Sequence, residues 1–471
     1  MQSGGTAVFC ETFDKKNSGI PSRTGNLDPN VWGVSRTAGG NRWATTSVVG
    51  CAGTTGMVSP PNDVIICNGQ LRESSNDHGD VTVLAMYPKQ PFDFAGRTGT
   101  VAFDVSNDTQ GSHSFWPEFW VTDTPVPTPF SHFNSWISFP ANAIGIRFAA
   151  NGEIGSYGIC PNGNNLNQRR FTVDSAVVVR NYNYEDVSAL GLSYAFPAGG
   201  TGTKVTANDC VIMSPGPNGP LNHIEVRVAQ NLIEVWASDA GSTVLRKIAT
   251  ITNPNLSLSR GLVWLEDAHY NAAKGACGGP EGSVPANGPC QDIHTFTWDN
   301  LAFDGPFTYR DFSYDALDNS TTSDSSGLMD IAKTATPNQT TTWNVLNMPA
   351  NPQATTVRVL FNWKTYFGHV PSNLIVKVNG HVHTIPYPYP ANDTFNSHDG
   401  TSFGPGAWRT YPLTIPITEL VAGTNVVDIG TDIQNDNTLV SNVNIVLVQV
   451  PGGVPVLPGS NNAYAASSAS H

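Results

Sequence analysis

No stretch of this chain repeats apolar residues at helical spacing over three turns. Short runs rich in Val, Ile, Thr, Phe and Trp recur instead, each bounded by Gly, Pro, Asn or Asp, which is the pattern of strands joined by turns. In the first 300 residues these runs are Val81–Met86, Gly99–Val105, Phe115–Val121, Ala143–Phe148, Ala176–Val179, His223–Val228, Leu232–Ala237, Leu262–Leu265 and Thr295–Phe303. Gly (45) and Pro (34) are frequent in the 471 residues and only 13% are charged, so the surface helix formers Glu, Lys and Arg are scarce. The expected fold class is all-β: a large antiparallel β-sandwich followed by a smaller, jelly-roll-like one.

The character of the sequence changes near Gly305-Pro306. A polar run, Asp315–Ser326, precedes a second series of strand-like runs from Thr342–Leu346 to Val443–Val450. We therefore expect a first domain over residues 1–305, an accessory sandwich over 306–450 and a flexible tail over 451–471. Trp343, Trp363, Tyr387, Tyr389 and Trp408 in the second unit either fill its core or form an auxiliary glycan platform.

Lys plus Arg (24) against Asp plus Glu (37) leaves a formal charge of −13. Without a Lys/Arg-rich run to reverse that field locally, nucleic acid is excluded as a partner and an anionic membrane is disfavoured. The longest apolar run, Val443–Val450, is of strand length, so no helical membrane span is expected.

Seven cysteines lie in the first 290 residues. Cys277 and Cys290 bracket a loop of Gly, Pro, Ser and Ala; Cys51 with Cys67 and Cys160 with Cys210 are further disulfide candidates, which leaves Cys10 free. No C-x-x-C pair suggests zinc or redox chemistry. The N-terminus lacks a basic, then apolar, leader, so an extracellular setting implies a signal peptide already removed.

The segment His113–Asp123, HSFWPEFWVTD, carries the most chemistry. Strand alternation places Trp116, Glu118, Trp120 and Thr122 on one face and Phe115, Pro117, Phe119 and Val121 on the other. A carboxylate between two indoles suits a sugar cleft, because an indole stacks on the apolar face of a pyranose while a carboxylate accepts its hydroxyls. The run Leu262–Tyr270 alternates in the same way, with Trp264 and Glu266 together and Tyr270 beyond. Glu118 and Glu266 are the candidate catalytic pair for hydrolysis, and Trp116, Trp120, Trp264, His113, Tyr270 and Arg147 are the candidate substrate-binding residues. In a binding protein the same carboxylates would hold sugar hydroxyls or a neighbouring Arg. His113, His132, His269 and His294, with Arg147 and Tyr270, would serve a polysaccharide lyase.

Three pieces of this sequence, FCETFD…NLDPNVWGV, FWPEFWV and TFTWDNLAF, resemble the first, middle and last strands of the concanavalin A-like lectin/glucanases. They are most similar to glycoside hydrolase family 16, in which a W-P-x-F-W strand lines the groove. The resemblance spans roughly residues 8–305. It implies a glycan groove, and it departs from the family at the E-x-D-x-x-E motif, for which nothing between Thr122 and Arg170 substitutes. It also implies a structural calcium joining the first and last strands, with Glu11 and Asp299 at matching positions. No cofactor is required for the chemistry. The expected partner is a polysaccharide or oligosaccharide, held by a secreted glycoside hydrolase, by a non-catalytic binding or adhesion protein, or by a lyase.

Overall fold

A computed structural model describes residues 7–14, 27–28, 31–38, 64–76, 82–107, 115–123, 142–150, 170–180, 183–186, 209–213, 219–269, 293–306, 312–317, 333–335, 341–352, 354, 356–365, 373–386, 409–432 and 438–448. Among them the regular structure is strand, apart from short 3-10 turns such as Ile417–Glu419, and every strand pairing is antiparallel. No helix among the described residues is long and apolar enough to cross a membrane.

Strands up to Asp304 build two sheets. One has eight strands, ordered Leu245–Thr252, Leu232–Ser238, Asn222–Ala229, Gly99–Asn107, Ile293–Asp304, Gln70–Asn76 and Val64–Cys67, with Ala7–Glu11 joining Ile293–Asp304. The other has nine, ordered Asn183–Asp186, Arg170–Arg180, Asn142–Ala150, Phe115–Thr122, Arg260–His269, Thr82–Pro88 and Trp32–Ala38, with two short strands alongside. Period-two alternation explains how they close on each other. In Asn222–Ala229, Ile224, Val226 and Val228 turn inward while His223, Glu225 and Arg227 turn away. The inward residues of both sheets share one core, in which Phe103 stacks on Phe119 across the layers at 5.8 Å and meets Trp298 edge-on at 5.7 Å. Phe119 and Val121 lie in that core, as the alternation of their strand predicts.

The third sheet, from Phe312 onward, folds over a second core made of Trp343, Val345, Val359, Val376, Val427, Ile429, Ile445 and others. Its strand Phe312–Leu317 belongs to both layers, since Phe312 to Asp315 pair with Thr438–Val448 while Ala316 and Leu317 pair with Thr341–Met348. Trp343 is thus a core residue, not part of an exposed platform. Tyr387, Tyr389, Trp408 and the tail 451–471 lie outside the described residues.

Two hairpins are set by Asn-Gly turns. Asn68 and Gly69 (φ 55° and 71°) join Val64–Cys67 to Gln70–Asn76, and Asn379 and Gly380 (φ 49° and 88°) join Leu374–Val378 to His381–Ile385. The exit from the first sandwich is also held: Arg97 pairs with Asp304 at 2.6 Å, and a Cβ on Gly305 (φ 136°) would stand 2.8 Å from the Asp93 carbonyl oxygen.

Candidate functional site

The face of the nine-stranded sheet turned away from the core carries two adjacent rows of side chains. In the first, Arg147 stands opposite Glu118, Glu118 opposite Glu266 and Glu266 opposite Ala85. In the second, Gly145 stands opposite Trp120 and Trp120 opposite Trp264, with the Tyr87 ring 3.8 Å from that of Trp264. The indoles point their N–H groups to opposite sides of their row. Trp120 Nε1 donates to Glu118 Oε2 at 2.8 Å, and Trp264 Nε1 donates to Thr122 Oγ1 at 2.7 Å.

Two glycines determine how these rings lie. A Cβ built on Gly145 would fall 2.1 Å from the Trp120 ring, and one on Gly33 would fall 2.2 Å from the Tyr87 ring. At both ends of the row the ring therefore rests directly on bare backbone, flat against the sheet.

This geometry corrects the expectation that these side chains line a glycan groove. Glu118, Glu266 and Trp264 are 0% exposed and Trp120 is 1% exposed; Arg147 is buried as well. Alternation does bring the acids and indoles to a common face. The physical reason for the difference is that period two specifies the face and not what lies over it, and rings seated on glycine leave no upright walls for a trench. Trp116 belongs to the described backbone of its strand, while His113 and Tyr270 lie outside the described residues. Tyr87, Gly33 and Gly145 were not among the predicted residues. Tyr87 follows Ala85 by two positions on a strand beside Glu266, so period-two reading of TVLAMYP was the available signal.

The eight-stranded sheet carries a second charged cluster on its outer face. Burial pushes the Asp299 carboxyl up to about 6 against the pull of the Asn300 N–H that it accepts, and the nearby Asp104, Asp14 and Glu11 carboxylates push it the same way. Burial alone would depress His223, yet its contacts with Asp104 (2.5 Å) and Glu225 (3.9 Å) lift it to about 9. Several oxygens here accept hydrogen bonds. Glu11 Oε1 accepts the Phe13 N–H at 2.8 Å, Asp104 meets His223 and the Asn300 amide, and Asp14 accepts the Thr12 hydroxyl. A hard cation requires six or more oxygens, and among the described residues no group of three or more acidic, His or Cys side chains is arranged to hold a metal. Glu11 and Asp299, the residues expected to hold calcium, both belong to this cluster.

Cys67 and Cys210 are disulfide-bonded, with pairing that falls outside the described residues, and Cys10 is a free thiol. Cys51, Cys160, Cys277 and Cys290 lie outside the described residues.

The resembling pieces are strands of the first sandwich. Its first strand pairs with its last in one sheet, and FWPEFWV runs through the middle of the other. Among solved structures, the chain is similar to an immunostimulatory antigen and pseudo beta-1,3-glucanase of Mycobacterium tuberculosis (13% identity over 64% of this chain and 100% of that one, TM-score 0.31). It is also similar to the Ca2+-bound exoplasmic/lumenal domain of VIP36 (10% identity over 64% of this chain and 97% of that one, TM-score 0.30). A glycosyl hydrolase family 16 protein of Mycobacterium smegmatis matches at 11% identity over 63% of this chain and 99% of that one, with a TM-score of 0.31. No protein-family model and no curated protein matches the sequence.

Proposed function

We propose that this chain is a carbohydrate-binding protein of two domains, with the boundary near residue 306, that holds a polysaccharide or oligosaccharide on the first sandwich in an extracellular setting. The observation that carries the reading is where the resembling pieces lie: FCETFD pairs with TFTWDNLAF in one sheet, and FWPEFWV runs through the middle of the other. The disulfide-bonded state of Cys67 and Cys210 supports an oxidising compartment.

Complete burial of Glu118 and Glu266 disfavours hydrolysis by this pair, because an acid pair acts only when both carboxyls flank the scissile bond. Hydrolysis is the second reading, supported by one feature: the two acids are direct cross-strand neighbours. Such neighbours have Cβ atoms about 4.5–5.5 Å apart, compatible with the roughly 5–5.5 Å carboxyl spacing of retaining enzymes.

Retention on insoluble β-linked glycans and release of reducing ends, measured side by side, test both readings. Retention lost in Trp116→Ala with no product formed is the expected result. Product release that disappears in Glu118→Gln and Glu266→Gln would instead establish hydrolysis, and a rise in ultraviolet absorbance from an unsaturated product would establish a lyase. Neither retention nor product across a broad glycan panel would sink the carbohydrate reading.

A further inference from the structure

Leu360 and Val446 face away from the core of the second sandwich, because their strand neighbours Val359, Phe361, Ile445 and Leu447 fill it. Both are nevertheless 0% exposed, and they touch each other as a separate cluster. Strand register sets Arg358 opposite Val446 and Leu360 opposite Asn444; Asn444 is buried too, so Leu360, Asn444 and Val446 form a compact covered patch with the half-buried Arg358 at its edge.

Two observations point to the first sandwich as its cover. Strand Trp32–Ala38 of the first sandwich approaches strand Thr438–Val448, which carries Asn444 and Val446. The charge of Arg358 acts on Asp123, at the end of strand Phe115–Thr122. Asp123 Oδ2 accepts the Asn142 side-chain amide at 2.8 Å, while its Oδ1 is sealed from solvent and meets no hydrogen-bond donor. A carboxylate in that state is costly when ionised. Burial pushes the Asp123 carboxyl up, and Asn142 and Arg358 pull it back.

We propose that Arg358, Leu360, Asn444 and Val446 form the seat on which the first sandwich docks, and that the Arg358 guanidinium compensates the Asp123 carboxylate across the seam. The clamped exit at Arg97, Asp304 and Gly305 fits the same arrangement, since it fixes the chain's direction as it leaves the first sandwich. The second sandwich is then a fixed neighbour of the strand that bears Glu118 and Trp120, not a module swinging on a tether. This inference stands independently of the glycan reading.

Small-angle scattering and thermal unfolding of the full chain at pH 8 test it. The wild type should have the radius of gyration of one compact body of this length, about 23 Å. Arg358→Met should enlarge it and split unfolding into two steps, and Leu360→Asp should do so more strongly. In an Asp123→Asn background Arg358→Met should change nothing, because no charge is left to compensate; for the same reason its effect should fade as pH falls and Asp123 becomes neutral. An Arg358→Met effect of equal size in both backgrounds would overturn the compensation, and unchanged scattering in both Arg358→Met and Leu360→Asp would overturn the docking. Should Leu360→Asp fail to fold, the Arg358 and Asp123 cycle still decides.

Discussion

The same three-residue unit, Glu-x-Trp, occurs on the outer faces of both sheets of the first sandwich. In Glu118-Phe119-Trp120 and in Glu234-Val235-Trp236 the indole N–H donates to the acid two residues earlier, at 2.8 Å and 3.2 Å. Their surroundings differ completely. The first unit is sealed, with its ring on Gly145 and a second acid in register beside it. The second is half-exposed and neutralised from outside: the Arg227 guanidinium lies 4.4 Å from the Trp236 ring centroid, and Lys247 reaches Glu234 at 3.0 Å. Burial would raise the Glu234 carboxyl, but hydrogen bonds from Lys247 and Trp236 hold it below its ordinary range. Local sequence thus dictates the hydrogen bond between the two side chains, while the layer above decides whether the pair is a desolvated acid or a screened surface ion pair.

Mutation of the two units should separate these roles. The largest effect is expected for Trp120→Ala, which removes a fully buried indole and should cost about 3–5 kcal/mol in denaturant unfolding, against about 1 kcal/mol for Trp236→Ala. Equal losses would erase the contrast. Gly145→Ala should approach the same severity, because its methyl has no space unless Trp120 leaves its seat. Next, Glu118→Ala leaves the Trp120 N–H without that acceptor and should cost about 1–3 kcal/mol, insensitive to salt. Lys247→Met, at the exposed unit, should cost less than about 1 kcal/mol, and even that should vanish in high salt.

Between these extremes lies His223. Because its folded value is raised to about 9, its stabilisation is complete below its ordinary value near 6.5 and is lost as pH climbs through 9. His223→Ala should therefore lower stability by about 1–2 kcal/mol at pH 6 and by much less at pH 10, read from melting temperature across that range. Asp299 runs the opposite way. Raised to about 6, it is easier to protonate when folded, so its ionisation weakens the fold as pH rises from about 4 to 6, and Asp299→Asn should be slightly stabilising at pH 7.

Much of the architecture was legible in the sequence because strands declare themselves by alternation and turn residues. Phe119 and Val121 fall in the core and Glu118 and Trp120 fall opposite, as two-residue periodicity requires. The environment of those side chains was not legible, since cover is supplied by residues distant in sequence. Gly145 illustrates the limit: in NAIGIRF it reads as a weak point in a strand, and only the Trp120 ring lying on it gives it a purpose. Similarly, nothing in RVLFN or NIVLV reveals that Leu360 and Val446 are sealed on a face away from their own core.

One pairing also constrains how this molecule is made. Strand Ala7–Glu11 leaves the ribosome well before its partner Ile293–Asp304, which follows roughly 300 residues later. Throughout that interval a Val-Phe-Cys segment waits with unsatisfied backbone and a free thiol at Cys10, the kind of exposed edge that invites mispairing with other chains. Closing the first sandwich is therefore a late event, and a nascent chain halted before Phe296 would be expected to aggregate rather than to wait as a folded half.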